Sequence, residues 1–125
     1  MNKIFVSLNY GDKEIVKTIT GMSSIYNGPV KREFVFVEGI STSWHEIEKK
    51  IKEALSQCSE VLFVVGDNNH NSPWIEREAQ LALSQEKKIF LTRLPDTYGG
   101  IPKTLPKDKY EEIRWSGNHL ANKLN

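Results

Sequence analysis

The residues best suited to chemistry are an aromatic side chain and a carboxylate that lie four positions apart, Trp74 and Glu78. Ser72 is a favoured helix N-cap, and Pro73 suits the first helical position, where its missing N–H is not needed. Residues four apart share one face of a helix, so Glu78 lies one turn beyond Trp74. A carboxylate beside a large ring, near the start of a helix that follows a strand, is typical of ligand sites in open α/β sheets.

Apolar runs and helical periodicity outline alternating strands and helices along the chain. The run at 61–65 is apolar at every position, which predicts a strand buried on both faces and central in its sheet. Pro and Gly interrupt residues 92–109, so no regular crossover helix is predicted there. The patterns predict strands at 4–6, 34–37, 61–65, 89–91 and 110–115, and helices at 13–20, 43–58, 73–85 and 116–124.

Strands that alternate with helices predict one α/β domain over residues 1–125, with a parallel sheet covered on both faces. We expect a flavodoxin-like three-layer fold with five strands in the order 2-1-3-4-5. Ligands bind such folds where the strand order reverses, outside the carboxyl ends of strands 1 and 3. The residues predicted to converge there are Ser7, Asn9, Tyr10, Asp67, Asn68, Asn71, Trp74 and Glu78.

The composition argues against several classes of function. The 17 Lys and Arg residues nearly balance the 16 Asp and Glu residues, so we expect neither nucleic acid nor a membrane surface as a partner. A membrane span of roughly 20 apolar residues and a signal peptide are both absent from the sequence, which favours a cytoplasmic protein. The single cysteine, Cys58, is expected to pack on the apolar face of the second helix, and the three histidines lack the spacing of metal ligands.

Two other chemistries of this fold class lack their residues. A phosphate-cradling loop would need a Gly-rich motif after the first strand, and residues 7–11 do not contain one. A phosphorylated response regulator would need an acidic pair after strand 1 and a Lys after strand 4. Only Asp12 follows the first strand, and Thr92-Arg93-Leu94 follows the fourth.

Two segments carry a resemblance to a known family. Ser72-Pro73-Trp74-Ile75-Glu76-Arg77-Glu78 resembles the Ser-x-Trp-x-x-x-Glu segment of TIR domains that cleave NAD. Residues 4–12 are similar to the opening strand and loop of the compact TIR-like proteins of Thoeris anti-phage systems. The similarity covers the first 90 residues or so, with both motifs at the ends of the expected strands.

The resemblance implies an enzyme that breaks the nicotinamide–ribose bond of NAD, which is its substrate and not a resident cofactor. Its product would be an ADP-ribose-derived nucleotide, cyclic in some relatives, that a separate effector protein reads. An ionised Glu78 would stabilise the oxocarbenium-like transition state, and Trp74 would form an aromatic wall. Another copy of the chain, in a homo-oligomer, is a further partner to consider. The substrate-binding residues that the resemblance implies are Ser7, Leu8, Asn9, Tyr10, Asn71 and Trp74.

Other interpretations of the same residues stay open. Glu78 could be a solvated helix residue and Trp74 a core residue, in which case the chain would be a non-catalytic TIR-like module that binds a protein or nucleotide. A flavin or nucleotide binder of the same fold class is a further alternative. Contact with a substrate phosphate could come from Arg77, Lys31, Arg32 or Arg93.

Overall fold

The computed structural model describes residues 3–8, 13–23, 28–37, 43–67 and 72–125. The strands are β1 (Lys3–Ser7), β2 (Glu33–Val35), β3 (Glu60–Val65), β4 (Lys88–Arg93) and β5 (Glu111–Ile113). The helices are α1 (Lys13–Gly21), α2 (Trp44–Ser56), α3 (Pro73–Ser84) and α4 (Gly117–Leu124). Strands and helices alternate along the chain, except between β4 and β5, where the sequence pattern also predicts no helix.

The five strands form one parallel sheet in the order β2-β1-β3-β4-β5, which confirms the predicted fold class and strand order. The central strand is β3, and each of its residues 61–65 is buried. The strand order reverses between β1 and β3, which pair in register from Ile4↔Glu60 to Ser7↔Phe63. The carboxyl ends of these two strands therefore meet at one edge of the sheet.

Helices cover both faces of the sheet and produce a separate apolar cluster on each. On one face, α2 and α3 pack against alternate residues of the strands, among them Phe5, Phe63 and Leu91. On the opposite face, α1 and α4 pack against the intervening residues, such as Val6 and Val64. The alternation of strand side chains thus decides which residues lie beneath α3.

Several predicted boundaries differ from the structure; the fifth strand, predicted at 110–115, spans only Glu111–Ile113. The second strand ends at Val35, so Phe36 and Val37 lie beyond it; as an edge strand, β2 is held by β1 alone. The fourth strand is longer than predicted because its polar ends, Lys88 and Thr92-Arg93, pair with β3 in full register. Cys58 lies after α2, which ends at Ser56, and its burial against the sheet raises the pKa of the thiol to about 11.

The connection from β4 to β5 contains no α-helix, and the structure describes all of its residues. A single 3-10 turn at Lys107–Lys109 is its regular element, as the Pro and Gly content of the segment predicts. Leu105 anchors the connection in the apolar cluster beneath α2 and α3. Within the described ranges, no helix has both the length and the apolar character needed to traverse a bilayer.

Candidate functional site

A buried hydrogen bond joins the carboxyl end of β1 to the first half of α3. The Ser7 hydroxyl donates to Oε1 of Glu78 over 3.0 Å. Ser7 is fully buried and Glu78 is only 4% exposed, although both side chains are polar. Ser7 is the last residue of β1 and follows Phe5 on the face that α3 covers, so its side chain points towards the helix.

The sequence of α3 explains why a glutamate lies against the sheet. Ser72 caps the helix by accepting a hydrogen bond from the N–H of Ile75, and Pro73 occupies its first turn. Ile75, Ala79 and Ala82 form the buried face. Glu78 lies three residues after Ile75 and one before Ala79, and is therefore on this face and not on the solvent-facing one.

Burial decides the charge of Glu78. Removal from water raises the pKa of its carboxyl from the ordinary value of 4.5 to about 8, and the hydrogen bond from Ser7 lowers it by a smaller amount. Glu78 is therefore mostly protonated at neutral pH. The sequence pattern did not indicate this protonation, because it does not include the desolvation of the side chain. An ionised Glu78 beside a bound substrate stays a prediction.

Among the described residues, nothing satisfies the second carboxyl oxygen of Glu78. Oε2 is buried, and it has no hydrogen-bond partner among the described residues. A buried polar atom without a partner costs about 1–3 kcal/mol, so such atoms are uncommon in folded proteins. Ser7 thus fixes one carboxyl oxygen; the other carries the proton of the neutral acid and, once ionised, can accept a hydrogen bond or stabilise a cation.

Two tryptophans stack where α2 and α3 begin. The ring centroids of Trp44 and Trp74 are 3.6 Å apart, with 40° between the ring planes. Trp44 is half exposed, whereas Trp74 also packs against the apolar cluster beneath the helices. Trp74 is therefore supported by both the core and a second indole, one helical turn before Glu78.

An ion pair fixes the two helices that carry these rings. Nε and the second terminal nitrogen of the Arg77 guanidinium both donate to Oε1 of Glu48 on α2, and the Nε bond is 2.6 Å long. The other terminal nitrogen donates to Gln80 over 2.8 Å. Because these partners engage both terminal nitrogens and Nε, Arg77 is a link between α2 and α3.

The segment after β4 folds over the ends of β3 and β4. Asp67, just after β3, accepts a hydrogen bond from the N–H of Tyr98 over 2.8 Å. Gly99 lies so close to this strand end that a Cβ atom there would collide with the Asp67 carbonyl oxygen. Arg93, the last residue of β4, donates to the carbonyl of Gly99 over 2.6 Å. This segment therefore closes one side of the sheet edge where Glu78 lies.

The predicted site residues do not all lie at the contact between Ser7 and Glu78. Ser7 and Glu78 are in contact, and Trp74 lies on the same helix as Glu78. The side chain of Leu8 is 2% exposed and packs in the opposite apolar cluster, beneath α1 and α4, so it does not face Glu78. Asp67 follows β3 and accepts a hydrogen bond from the N–H of Tyr98. The other predicted residues lie outside the described ranges: Asn9, Tyr10, Asn68 and Asn71.

Two features were not predicted from the sequence. One is the hydrogen bond from Ser7 to Glu78. The other is the contact between Trp44 and Trp74. A usable signal existed for Trp44: it is the first residue of α2, directly after the N-cap Ser43, and Trp74 is the second residue of α3. Because α2 and α3 both follow strands of one parallel sheet, they start at the same sheet edge. Among the described residues, no group of three His, Cys, Asp or Glu could hold a metal ion.

Burial of Glu78 predicts a stability that depends on pH. Its pKa is about 8 in the folded protein and near 4.5 in the unfolded chain, so the folded state holds an extra proton between these values. The resulting stabilisation is complete below pH 4.5 and is lost as the pH rises through about 8. The slope reaches at most about 1.4 kcal/mol per pH unit. Urea unfolding of wild type and Glu78→Gln should show a free-energy difference that grows in favour of the variant across this window.

Glu53→Gln provides the control for that measurement, because Glu53 is an exposed glutamate on α2. Its difference from wild type should stay constant with pH. A Glu78→Gln curve parallel to that of wild type would contradict the burial of an uncharged Glu78.

The stacked indoles predict a measurable coupling between Trp44 and Trp74. A double-mutant cycle of Trp44→Ala and Trp74→Ala should give an interaction energy of about 0.5–1.5 kcal/mol, because each single change removes the same ring contact. Trp115 lies in the opposite cluster, so Trp115→Ala combined with Trp74→Ala should be additive. Equal coupling in both cycles would argue against a specific stack.

The sequence was compared with models of known protein families. The model of the family described as "Thoeris protein ThsB, TIR-like domain" matches residues 5–98. This match contains the last three residues of β1, including Ser7, and also both tryptophans, Glu78 and Arg93. It extends over about three quarters of the 125 residues. A search of curated proteins found no match. Because the family model covers well over half of the sequence and the sheet has the expected strand order, this chain belongs to the TIR-like domain family of the Thoeris protein ThsB.

Proposed function

We propose that this defence-associated TIR-like protein is an enzyme that cleaves the nicotinamide–ribose bond of NAD. The observation that carries the proposal is the Glu78 carboxyl, which is buried at the sheet edge with one oxygen bound to Ser7 and the other without a protein partner among the described residues. Membership of the Thoeris family supports the same assignment.

The chemistry requires negative charge close to the ribose. When the glycosidic bond breaks, its electron pair stays on the pyridinium nitrogen and nicotinamide leaves as a neutral molecule. The ribose carbon is left with oxocarbenium character, and an ionised carboxylate stabilises it. A nucleophile then adds to that carbon and loses its proton: water gives ADP-ribose, and a group on the nucleotide itself gives a cyclic product.

Substrate charge offers a reason for the raised pKa of Glu78. The bound pyridinium is a cation, and a cation within a few ångströms favours the ionised form of a carboxyl. Binding of NAD would thus release the proton that burial retains in the free protein. Glu78 would become charged only when a cationic substrate is present, which restricts charge stabilisation to the reacting complex.

Trp74 would lie beside the substrate at the same site as Glu78. Its ring lies one turn before Glu78 and is held from behind by Trp44 and the core, so it is rigid enough to serve as a wall for a planar group. In this proposal, Ser7 orients the carboxyl and Trp74 positions the ligand. The released nucleotide would act as a signal that a separate effector protein reads.

A non-catalytic TIR-like module is the alternative function. It would have no need for a carboxyl group buried against the sheet, and it is compatible with a Glu78 that faces solvent. The 4% exposure of Glu78 favours the enzyme over this alternative.

The first prediction from the proposal concerns catalysis by Glu78. Incubation with NAD should release nicotinamide, measured by chromatography, and Glu78→Gln should lower the rate by at least about 100-fold because the charge is lost. Glu76→Gln is the matched control: Gln keeps the oxygen that accepts the Thr104 N–H, so activity should be retained. Full activity of Glu78→Gln would exclude the proposed role.

The second prediction concerns the pH dependence of the reaction. If ionised Glu78 is the active form, kcat/KM should rise with pH and level off above about 8, since this parameter reports the pKa values of the free enzyme. Ser7→Ala removes the hydrogen bond that lowers the pKa of Glu78, so its profile should move to higher pH. If the profiles of Ser7→Ala and wild type coincide, the hydrogen bond from Ser7 does not affect the pKa of Glu78.

A further inference from the structure

We infer that Arg93 binds the diphosphate of the substrate, an inference that rests on the proposed cleavage of NAD. NAD contains a diphosphate one ribose away from the bond that breaks. A site that places Glu78 at the glycosidic bond therefore needs a cation nearby on the same edge of the sheet. Arginine suits this task because its planar guanidinium can donate two parallel hydrogen bonds to phosphate oxygens.

The position of Arg93 follows from strand register. Ser7 is level with Phe63 on β3, and Phe63 is level with Leu91 on β4. Arg93 lies two residues further along β4, where it pairs with Val65 at the carboxyl end of the central strand. Two strand spacings and two residues along a strand separate Ser7 and Arg93 by about 12 Å between Cα atoms, within the reach of a nucleotide and a long side chain.

Arg93 also faces the correct side of the sheet. Ile89 and Leu91 lie in the apolar cluster beneath α2 and α3, and side chains alternate along a strand. Arg93 therefore extends on the face that carries Ser7 and Glu78. Arg93 is partly exposed because it is the last residue of β4, whereas Leu91 is fully buried.

Most N–H donors of the Arg93 guanidinium have no partner among the described residues. One terminal nitrogen donates to the Gly99 carbonyl, and this is its one hydrogen bond or ion pair among the described residues. An arginine carries five N–H donors. The bond to Gly99 fixes the direction of the group, and the remaining donors can bind an anion.

Two of the other three arginines are engaged by protein partners, and the third, Arg114, follows β5, which is one strand further from Ser7 than β4 is. Arg77 is bound to Glu48 and Gln80. Arg32 lies at the opposite edge of the sheet, just before β2, in an ion pair of 2.8 Å with Glu60 and hydrogen bonds to Ser59 and the Leu124 carbonyl. Arg114 follows the edge strand β5 and is exposed.

A groove lined by lysines lies elsewhere. Lys87 and Lys109 line an open groove of about 520 Å³ with Leu83 and Thr104. Lys87 immediately precedes β4, so this groove lies at the amino end of that strand, away from Glu78. Lys31, the remaining sequence-based candidate, precedes β2 at the same amino edge.

Binding of ADP-ribose tests the assignment without turnover. Calorimetric titration of wild-type protein should detect binding, and Arg93→Ala should weaken it by about 10- to 100-fold through loss of charge-assisted hydrogen bonds. Arg93→Lys should lie between them, because it keeps the charge but not the planar fork. Lys52→Ala removes a positive charge from an exposed position in the second half of α2, away from the carboxyl ends of the strands, and should bind as wild type does.

Gly99→Ala separates phosphate binding from a purely structural role of Arg93. This change displaces the loop that Arg93 holds, but it keeps the guanidinium. Raising the salt concentration should weaken ADP-ribose binding to wild type and to Gly99→Ala, and should have little effect on Arg93→Ala. Equal losses of affinity in Gly99→Ala and Arg93→Ala, with the same salt dependence, would show that Arg93 only supports the loop.

The remaining outcomes distinguish this inference from the proposed function. Wild-type protein that binds ADP-ribose, with unchanged affinity in Arg93→Ala, would overturn the assignment of Arg93 alone. Wild-type protein that neither binds ADP-ribose nor releases nicotinamide from NAD would overturn both.

Discussion

The structure depends on one contact between a strand and a helix that are distant in sequence: the hydrogen bond from Ser7 to Glu78. Burying a carboxyl group is costly, and the molecule limits that cost by keeping the proton on Glu78 and by bonding one of its oxygens. The same contact attaches α3 to β1 at the point where the strand order reverses. Stability and the candidate site therefore involve the same atoms, and the site retains a carboxyl oxygen that the fold itself does not satisfy.

The surroundings of this contact are built for rigidity. The buried residues Ile75, Ala79 and Ala82 flank Glu78 on α3, and the Arg77–Glu48 pair and the contact of the two indoles hold α2 against α3. Because the carboxyl is buried, its ionisation is costly unless a nearby charge compensates it. A rigid, desolvated acid is a poor contributor to stability, but it is suited to stabilising a charge that develops in a bound substrate.

Sequence patterns predicted the parts of the molecule that depend on local preference. The order of the strands, the cap at Ser72 and the shared helix face of Trp74 and Glu78 follow from periodicity, capping and topology rules. The pairing of Ser7 with Glu78, which spans 71 positions, required the packing of α3 onto the sheet. Likewise, the pattern could not select which arginines would form ion pairs. Long side chains have many rotamers, and their partners depend on which helices become neighbours.

The two polar groups at this edge, Glu78 and Arg93, form a pattern that only some ligands satisfy. In the proposed complex, the carboxylate lies near a cationic ring and the guanidinium lies near an anionic diphosphate, with a ribose between them. NAD carries both charges. A free phosphate would pair with the guanidinium alone, whereas neutral nicotinamide, or an adenine nucleotide without the pyridinium, would provide no cation to ionise Glu78. Discrimination would then arise from the spacing between Glu78 on α3 and Arg93 on β4, and from the energy needed to remove the proton from a buried acid.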